Sequence, residues 1–402
     1  MQSSAKIKLR KDIHRFQLEN DLLLFDELSS RLFHLNRTAA LIWKGLEAGF
    51  TKREIIDTLA HSTGCSPDQL DVDFEDMLHQ WQSLGLRGDS SVKTEKNTSS
   101  NNSNPQSFPI LDHETIPEIL SGGLQITFRL INTHFRLIVP TEKELDLIRP
   151  IVSHLLVDCH DGHDVELAIL PDDQGYVLLE DGNPLDWCDD ISGVAPMVHA
   201  NSAMISYERT ECFFGLHAAA VGYGDKCILM PANSGSGKST LTAALMGSGF
   251  NYFADDLVLL SQPPIRMYQV PIALGLKKGS WEVAQSYHPV LASLPTHVRI
   301  DGKKIRYLEP PARSKTRKAD ERRKVDVIIF PCFDKGCNTS TIEKIGPAEG
   351  LCKLAGAGYD IRSQLTTHKV RQMIDWIADI PCYNLRFSQL SDAIDSILSI
   401  IK

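Results

Sequence analysis

The sequence predicts an α/β chain in which a P-loop core carries a β-rich subdomain and follows a small α+β domain of winged-helix-like outline. Three observations lead there. Leu229 to Leu241 reads as a buried strand, a glycine-rich loop and a helix in succession. Residues 126 to 179 alternate apolar and polar in the manner of strands, and residues 13 to 85 pass from such alternation to helical spacing. The expected division is 1–88 for the N-terminal domain, 89–113 for a linker, 114–206 for the β-rich subdomain and 207–402 for the P-loop domain.

Taken in order, Phe16, Leu18, Leu22 to Phe25, Leu32, Phe33 and Leu35 mark short strands of one small sheet. A helix follows over Ala39 to Leu46, with Ala40 and Trp43 on one face. Thr51 three residues before Glu54 forms a capping box for a helix carrying Ile55, Ile56 and Leu59. Pro67 suits the first turn of a third helix, whose Leu70, Phe74, Met77, Leu78 and Trp81 share a face before Gly85 ends it.

Three strands and three helices in this order resemble the PqqD family of peptide-modification chaperones over about residues 10 to 88. The residues that carry the resemblance are Leu32-Phe-His-Leu-Asn36, Ala39-Ala-Leu-Ile-Trp43, Thr51-x-x-Glu54-Ile-Ile56 and Leu84-Gly-Leu86. It implies a domain that binds an unstructured leader peptide by adding it as a strand to the sheet edge. A winged-helix-like structural or dimerising module is the alternative. Residues 89 to 107 hold one large aliphatic residue and no aromatic one, which predicts a flexible linker. About 20 such residues span on the order of 25 Å, enough to hand a tethered ligand from one domain to the next.

Beyond the linker, Ile126, Phe128, Leu130, then Phe135, Leu137 and Val139, then Glu166 to Leu170 and Tyr176 to Leu179 read as strands. Asp181-Gly182 reads as a turn, and Val194 to Tyr207 as a helix. No catalytic constellation occurs in this stretch.

Gly215 to Gly222 reads as a buried strand, Gly224-Asp225 as a turn, and Cys227 to Pro231 as the strand feeding the loop. The loop is Ala232, Asn233, Ser234, Gly235, Ser236, Gly237, Lys238 and Ser239, which fits G-x-x-x-x-G-K-[ST] except for Ala232 at the first position. Ala is tolerated there at negative φ, whereas a positive φ would cost about 1 kcal/mol or more. Loop N–H groups and the helix opening at Thr240 would hold the phosphates of ATP, Lys238 would reach the β and γ phosphates, and Ser239 would offer its hydroxyl to Mg2+. Tyr252 to Leu260 reads as an apolar strand interrupted by Asp255 and Asp256, which in a strand face opposite sides, so that one serves the metal.

His217, the loop ending at Lys238-Ser239, Gly249 and Ala254-Asp-Asp256 resemble HPr kinase/phosphorylase, with His217 twenty-one residues before the lysine and Asp256 eighteen after it. The resemblance implies a serine kinase of phosphoenolpyruvate-carboxykinase-like fold. In it His217 assists, Asp256 is the general base, Lys238 and Ser239 hold phosphate and Mg2+, and Asp255 serves the metal. The two aspartates could exchange roles.

The likeness thins over Gln269 to Trp281, where no acidic metal ligand appears. The P-I-x-L pattern there looks like the HPr-kinase-related subgroup found beside peptide- or polysaccharide-biosynthesis genes, so carrier-protein specificity does not transfer. Lys277, Lys278 and Ser280 are candidates for the acceptor or phosphate end, with a plain surface role as the alternative. Arg313 to Lys324 is a dense basic stretch that reads as a solvated loop or as the source of a cation for the transferring phosphoryl group. An Asp301-Gly302 hairpin follows the thinning stretch. Strands at Val325 to Pro331, Ile342 to Ile345 and Cys382 to Phe387, with helices at Pro347 to Leu354, Lys369 to Ala378 and from Leu390, complete the α/β core.

A net charge of -9 argues against a nucleic-acid partner. Nine scattered cysteines without a C-x-x-C pair indicate neither a disulfide framework nor a zinc cage. With no signal-like N-terminus and no long apolar run, a cytoplasmic protein with no membrane partner is expected. The expected activity is ATP- and Mg2+-dependent phosphorylation of a hydroxyl, serine above all, on a leader-bound precursor peptide. Two alternatives stay open: a nucleotide-gated peptide-binding module without transfer, or a kinase for a sugar or small molecule in polysaccharide biosynthesis. Whether several copies assemble into a homo-oligomer is open as well.

Overall fold

Apolar alternation at the N-terminal end builds an antiparallel sheet in the order β1 (His14–Leu18), β2 (Asp21–Asp26), β3 (Arg31–Leu35), with Phe16 opposite Leu23 and Leu24 opposite Phe33. The computed structural model describes residues 7–88, 121–158, 162–233, 235–311, 321–358 and 365–402. The expected linker, Ser234 and the Arg313 to Lys318 part of the basic stretch lie outside the described residues. The described fold is mixed α/β and divides into two units.

One unit gathers Met1–Ser103 with Gly346–Ala355 and Arg362–Asp379. Its first helix, α1 (Arg37–Glu47), begins where Asn36 Oδ1 accepts the Ala39 N–H. The capping box of Thr51 and Glu54 opens α2 (Lys52–Thr63), and Gly64, at φ 73°, closes it in the left-handed conformation that L side chains resist. Ser66 and Pro67 open α3 (Pro67–Ser83). The three helices bury Trp43, Phe74, Leu78 and Trp81 against Leu22 and Leu24 of the sheet, the two indoles meeting edge to face at 5.1 Å. The helix Thr367–Ile377 belongs to the same unit and packs against β1. Its Arg371 guanidinium lies 5.8 Å over the Phe16 ring, and the Thr367 N–H and hydroxyl donate to the Glu27 carboxylate at 3.1 and 2.9 Å. On the opposite side of the sheet, β3 pairs with no strand beyond β2 among the described residues.

The other unit begins with a five-stranded sheet of β4 (Leu124–Leu130), β5 (Thr133–Val139), β6 (Val165–Asp172), β7 (Gly175–Glu180) and β8 (Asn183–Cys188) in that order. Asp181 and Gly182, both at positive φ, make the turn between β7 and β8. Two helices accompany this sheet: α4 (Glu142–Val152), which sequence reading passed over, and α5 (Ile191–Arg209). In α4 a buried Glu144 accepts the Tyr176 hydroxyl at 3.0 Å, so a residue that reads as solvent-facing is a core acceptor.

The strands that carry the loop follow. Sequence reading made Gly215 to Gly222 one strand, but it breaks at His217 into β9 (Phe214–Leu216) and β10 (Ala218–Tyr223), which enter different sheets. The His217 backbone is engaged outside both ladders: its N–H donates to the Ala357 carbonyl at 2.8 Å and its carbonyl accepts from Ala232 at 3.2 Å. The remaining strands are β11 (Lys226–Pro231), β12 (Asn251–Ala254), β13 (Val258–Leu260), β14 (Met267–Tyr268), β15 (Leu274–Lys277), β16 (His297–Val298), β17 (Lys304–Leu308), β18 (Arg322–Arg323), β19 (Val327–Phe333), β20 (Thr341–Ile345) and β21 (Cys382–Phe387). A six-stranded sheet runs β12-β10-β11-β19-β21-β20, a four-stranded one β18-β14-β13-β9, and a three-stranded one β15-β17-β16. Helix α6 (Lys238–Gly247), the short α7 (Trp281–Gln285) and the terminal α8 (Leu390–Ile401) complete the unit. Leu241 and Leu245 of α6 and Ile394 and Ile397 of α8 join Ile228, Met230, Ile329 and Leu385 in one core, which fixes α6 and the loop before it to the six-stranded sheet. No helix among the described residues is long and apolar enough to cross a membrane.

Candidate functional site

Strand β11 delivers the chain to the loop, and α6 carries it away. Ala232 is absent from the positive-φ residues, so the strain attached to a positive φ at that position does not arise. Gly235 and Gly237 do have positive φ, 90° and 85°, and a Cβ on Gly237 would lie 2.8 Å from that of Phe333. The loop is pinned from β19, where the Phe333 N–H donates to the Ser236 carbonyl at 2.9 Å. Ser236 Oγ is buried with no hydrogen-bond partner among the described residues.

Sequence reading put Asp255 and Asp256 on opposite faces of a strand. Instead β12 ends at Ala254, and Asp256 sits at φ 65° in a tight turn closed by the Leu257 N–H on the Asp255 carbonyl at 2.9 Å. A γ-turn with positive φ at its centre is rare for a residue with a side chain. It swings both carboxylates to one place. Lys238 Nζ donates to Asp255 Oδ1 and to Asp256 Oδ1, each at 2.9 Å, and Asp256 Oδ1 also lies 3.3 Å from His217 Nε2. His217, Lys238, Asp255 and Asp256 thus form one chain of polar contacts, although they come from three separate local structures.

Their environments differ. Lys238 and Asp255 are almost wholly buried, whereas the Asp256 side chain is 58% exposed to the cavity above. Burial raises the Asp255 carboxyl above the usual carboxylate range, with Lys238 opposing and the charge of Asp256 adding to the rise. Burial also resists ionisation of Asp256, but the His217 hydrogen bond and the Lys238 charge overcome it and hold that carboxyl well below the usual range. Burial works against the Lys238 ammonium too, and the two carboxylates outweigh it. One ammonium is shared by two carboxylates whose affinities for protons are driven apart.

A cavity of about 950 Å³ opens over these groups, and Asn233, Gly235, Ser236, Gly237, Ser239 and Thr240 line it beside Lys238, Asp255, Asp256 and His217. Ala232 does not line it. Lys277 and Ser280 do, and Lys278 does not. Sequence reading missed the wall opposite the loop: His199 of α5, stacked 4.7 Å from Tyr307 of β17, and Arg299 and Lys303 of the hairpin between β16 and β17. The Asp301-Gly302 turn located that hairpin in the sequence, but nothing in its pattern shows what its tip faces.

Among the described residues no group of three or more His, Cys, Asp and Glu could hold a metal by itself. A magnesium ion bound with nucleotide needs only one or two carboxylates, because substrate phosphates and waters supply the other ligands. Asp255 Oδ2 is buried without a geometric hydrogen-bond partner among the described residues, and the Ser239 hydroxyl interacts with the same carboxylate, so the donor set fits such an ion.

No curated protein matches the chain. Among solved structures, TbiB1 in complex with the TbiA(beta) leader peptide is 19% identical, matching 21% of this chain and 100% of its own at a TM-score of 0.20. The Hpr(Ser) kinase/phosphatase from Coxiella burnetii is 11% identical, matching 47% of this chain and 99% of its own at a TM-score of 0.21. Residues 21–86 match the family described as Coenzyme PQQ synthesis protein D (PqqD), so the chain carries a PqqD domain at its N-terminal end.

Proposed function

We propose that the chain is an ATP- and Mg2+-dependent kinase that phosphorylates a hydroxyl, serine above all, of a precursor peptide held through its PqqD domain. The observation that carries this reading is the convergence of His217, Asp256 and Lys238 at the glycine loop. A loop and lysine alone describe any phosphate site. A carboxylate that bridges the lysine to an imidazole adds a base for a hydroxyl.

The geometry supports the following roles. Loop N–H groups, the N-terminus of α6 and Lys238 face the triphosphate, and Ser239 with Asp255 would hold Mg2+, which neutralises phosphate charge when bound. Lys238 then turns from Asp256 toward phosphate, which removes the cation that depresses the carboxyl and raises its basicity. Asp256, oriented by His217, takes the hydroxyl proton as the acceptor oxygen bonds to the terminal phosphorus and ADP leaves. The family's mode of peptide capture is strand addition, and β3 pairs with no strand beyond β2 among the described residues.

The test is incubation of the full chain with Mg-ATP and a precursor peptide, read by mass spectrometry. One added phosphoryl per peptide is expected, and Asp256→Asn should lower the rate by about 10²–10⁴. A melting curve equal to the parent's checks the fold of that variant, whose side chain is 58% exposed. Nucleotide binding with no transfer by the unaltered protein, or undiminished transfer by Asp256→Asn, overturns the proposal.

A further inference from the structure

The hairpin from β16 to β17 places Arg299, Ile300 and Lys303 at the cavity mouth, and Lys277 reaches the same mouth from the end of β15. Its shape is set by backbone bonds: the Arg299 N–H donates to the Lys303 carbonyl at 3.0 Å, and the Gly302 N–H to the Arg299 carbonyl at 2.8 Å. Backbone bonds thus fix the hairpin that carries Arg299 and Lys303. Asp301 answers two of them, at 3.6 Å from Arg299 and 2.8 Å from Lys303, while Lys277 makes no ion pair among the described residues. The other carboxylates of the cavity are already engaged. Asp255 and Asp256 hold Lys238, and Asp186 accepts from Asn201 at 2.7 Å. Lys277, Arg299 and Lys303 thus outnumber Asp301 on the hairpin side of the lining, while Asp186, Asp255 and Asp256 keep their charges elsewhere in it.

Beside these cations stand two exposed aliphatic residues, Ile300 at 79% and Val283 at 51%, both on the cavity wall. The phosphates of a nucleotide have the loop, Lys238 and the N-terminus of α6. A rim that alternates cations with exposed aliphatics suits an anion carried on a chain with apolar side chains.

We infer that the Lys277, Arg299 and Lys303 rim selects an acidic peptide segment, with a carboxylate close in sequence to the hydroxyl that enters the cavity. The inference rests on the kinase reading for the hydroxyl and on charge complementarity for the carboxylate, and the two are tested separately.

The probes are fluorescein-labelled serine hexapeptides, identical except for Glu, Gln or Lys beside the serine. Binding to the full chain is measured by anisotropy with Mg2+ and a non-hydrolysable ATP analogue. The Glu peptide should bind about tenfold more tightly than the Gln peptide. The Arg299→Ala/Lys303→Ala double variant should erase the difference, and Arg299→Glu/Lys303→Glu should transfer the preference to the Lys peptide. Both positions lie at an exposed hairpin tip, and melting curves equal to the parent's confirm the fold. Equal affinity for Glu and Gln peptides, or a Glu preference intact in the double variant, overturns the inference. So does a loss confined to binding of the nucleotide analogue, which would assign the cations to phosphate. A Glu preference in a protein that transfers no phosphoryl would leave the rim standing and remove the kinase reading.

Discussion

Burial sets Asp255 apart from its neighbour, and the difference has a sign in stability. A carboxyl whose pKa is raised on folding binds its proton more tightly in the folded state, so its contribution falls as pH rises through the raised value and stays lowered at neutral pH. Asp256 runs the other way: its contribution is present above the ordinary carboxylate range and is lost as pH falls toward its lowered value. Burial and the neighbouring Asp256 charge both work against an ionised Asp255 beside the one buried ammonium. Asp255→Asn should therefore raise Tm by about 2–4 °C at pH 7 while abolishing metal-dependent transfer. The advantage should shrink toward pH 4, as scanning fluorimetry across that range would record; a Tm below the parent's at pH 7 would contradict the charge argument. His217, Lys238 and the two aspartates were visible in the sequence because motif spacing ties them to the loop. Their convergence was not, since strand alternation gives no sign of a turn at Asp256. Arg299 and Lys303 were invisible for another reason: a cation on a hairpin looks the same whether it faces solvent or a cavity.

At the level of elements, the loop shows how two glycines one residue apart can matter for different reasons. Gly235 has positive φ with nothing within 4 Å of an added Cβ, whereas Gly237 combines positive φ with Phe333 at 2.8 Å and the start of α6. Gly235→Ala should cost about 1 kcal/mol and keep nucleotide binding. Gly237→Ala should cost about 2–4 kcal/mol and abolish it, because backbone strain is joined by overlap with β19. Denaturant melts of the two variants distinguish the cases, and equal costs would mean that β19 yields freely. The capped helices of the N-terminal unit were legible to within a few residues, with Asn36, the Thr51 and Glu54 pair and Ser66 each opening one, whereas α4, capped by Thr141, was not. The break at His217 was not legible, because the residues around it from Gly215 to Gly222 are apolar and its backbone bonds go to Ala232 and to Ala357, the latter far away in sequence.

Across the whole molecule, the two units have separate cores, one around Trp43, Phe74 and Trp81, the other around the six-stranded sheet. Trp43→Ala should destabilise the first by about 3–5 kcal/mol. Calorimetry should show one transition moving and the other staying; a shared shift would mean that the units melt together. The PqqD domain was legible from its order of strands and helices, since each of those elements is local in sequence. The helix Thr367–Ile377 in the same unit was readable as a helix, but its neighbours were not, because Arg371 meets Phe16 and Thr367 meets Glu27 across most of the chain's length. That helix limits how the gene can be divided. A recombination that carries only the first 88 codons to another enzyme would transplant the sheet without the support β1 rests on, so this domain travels as an interleaved partner and not as a cassette.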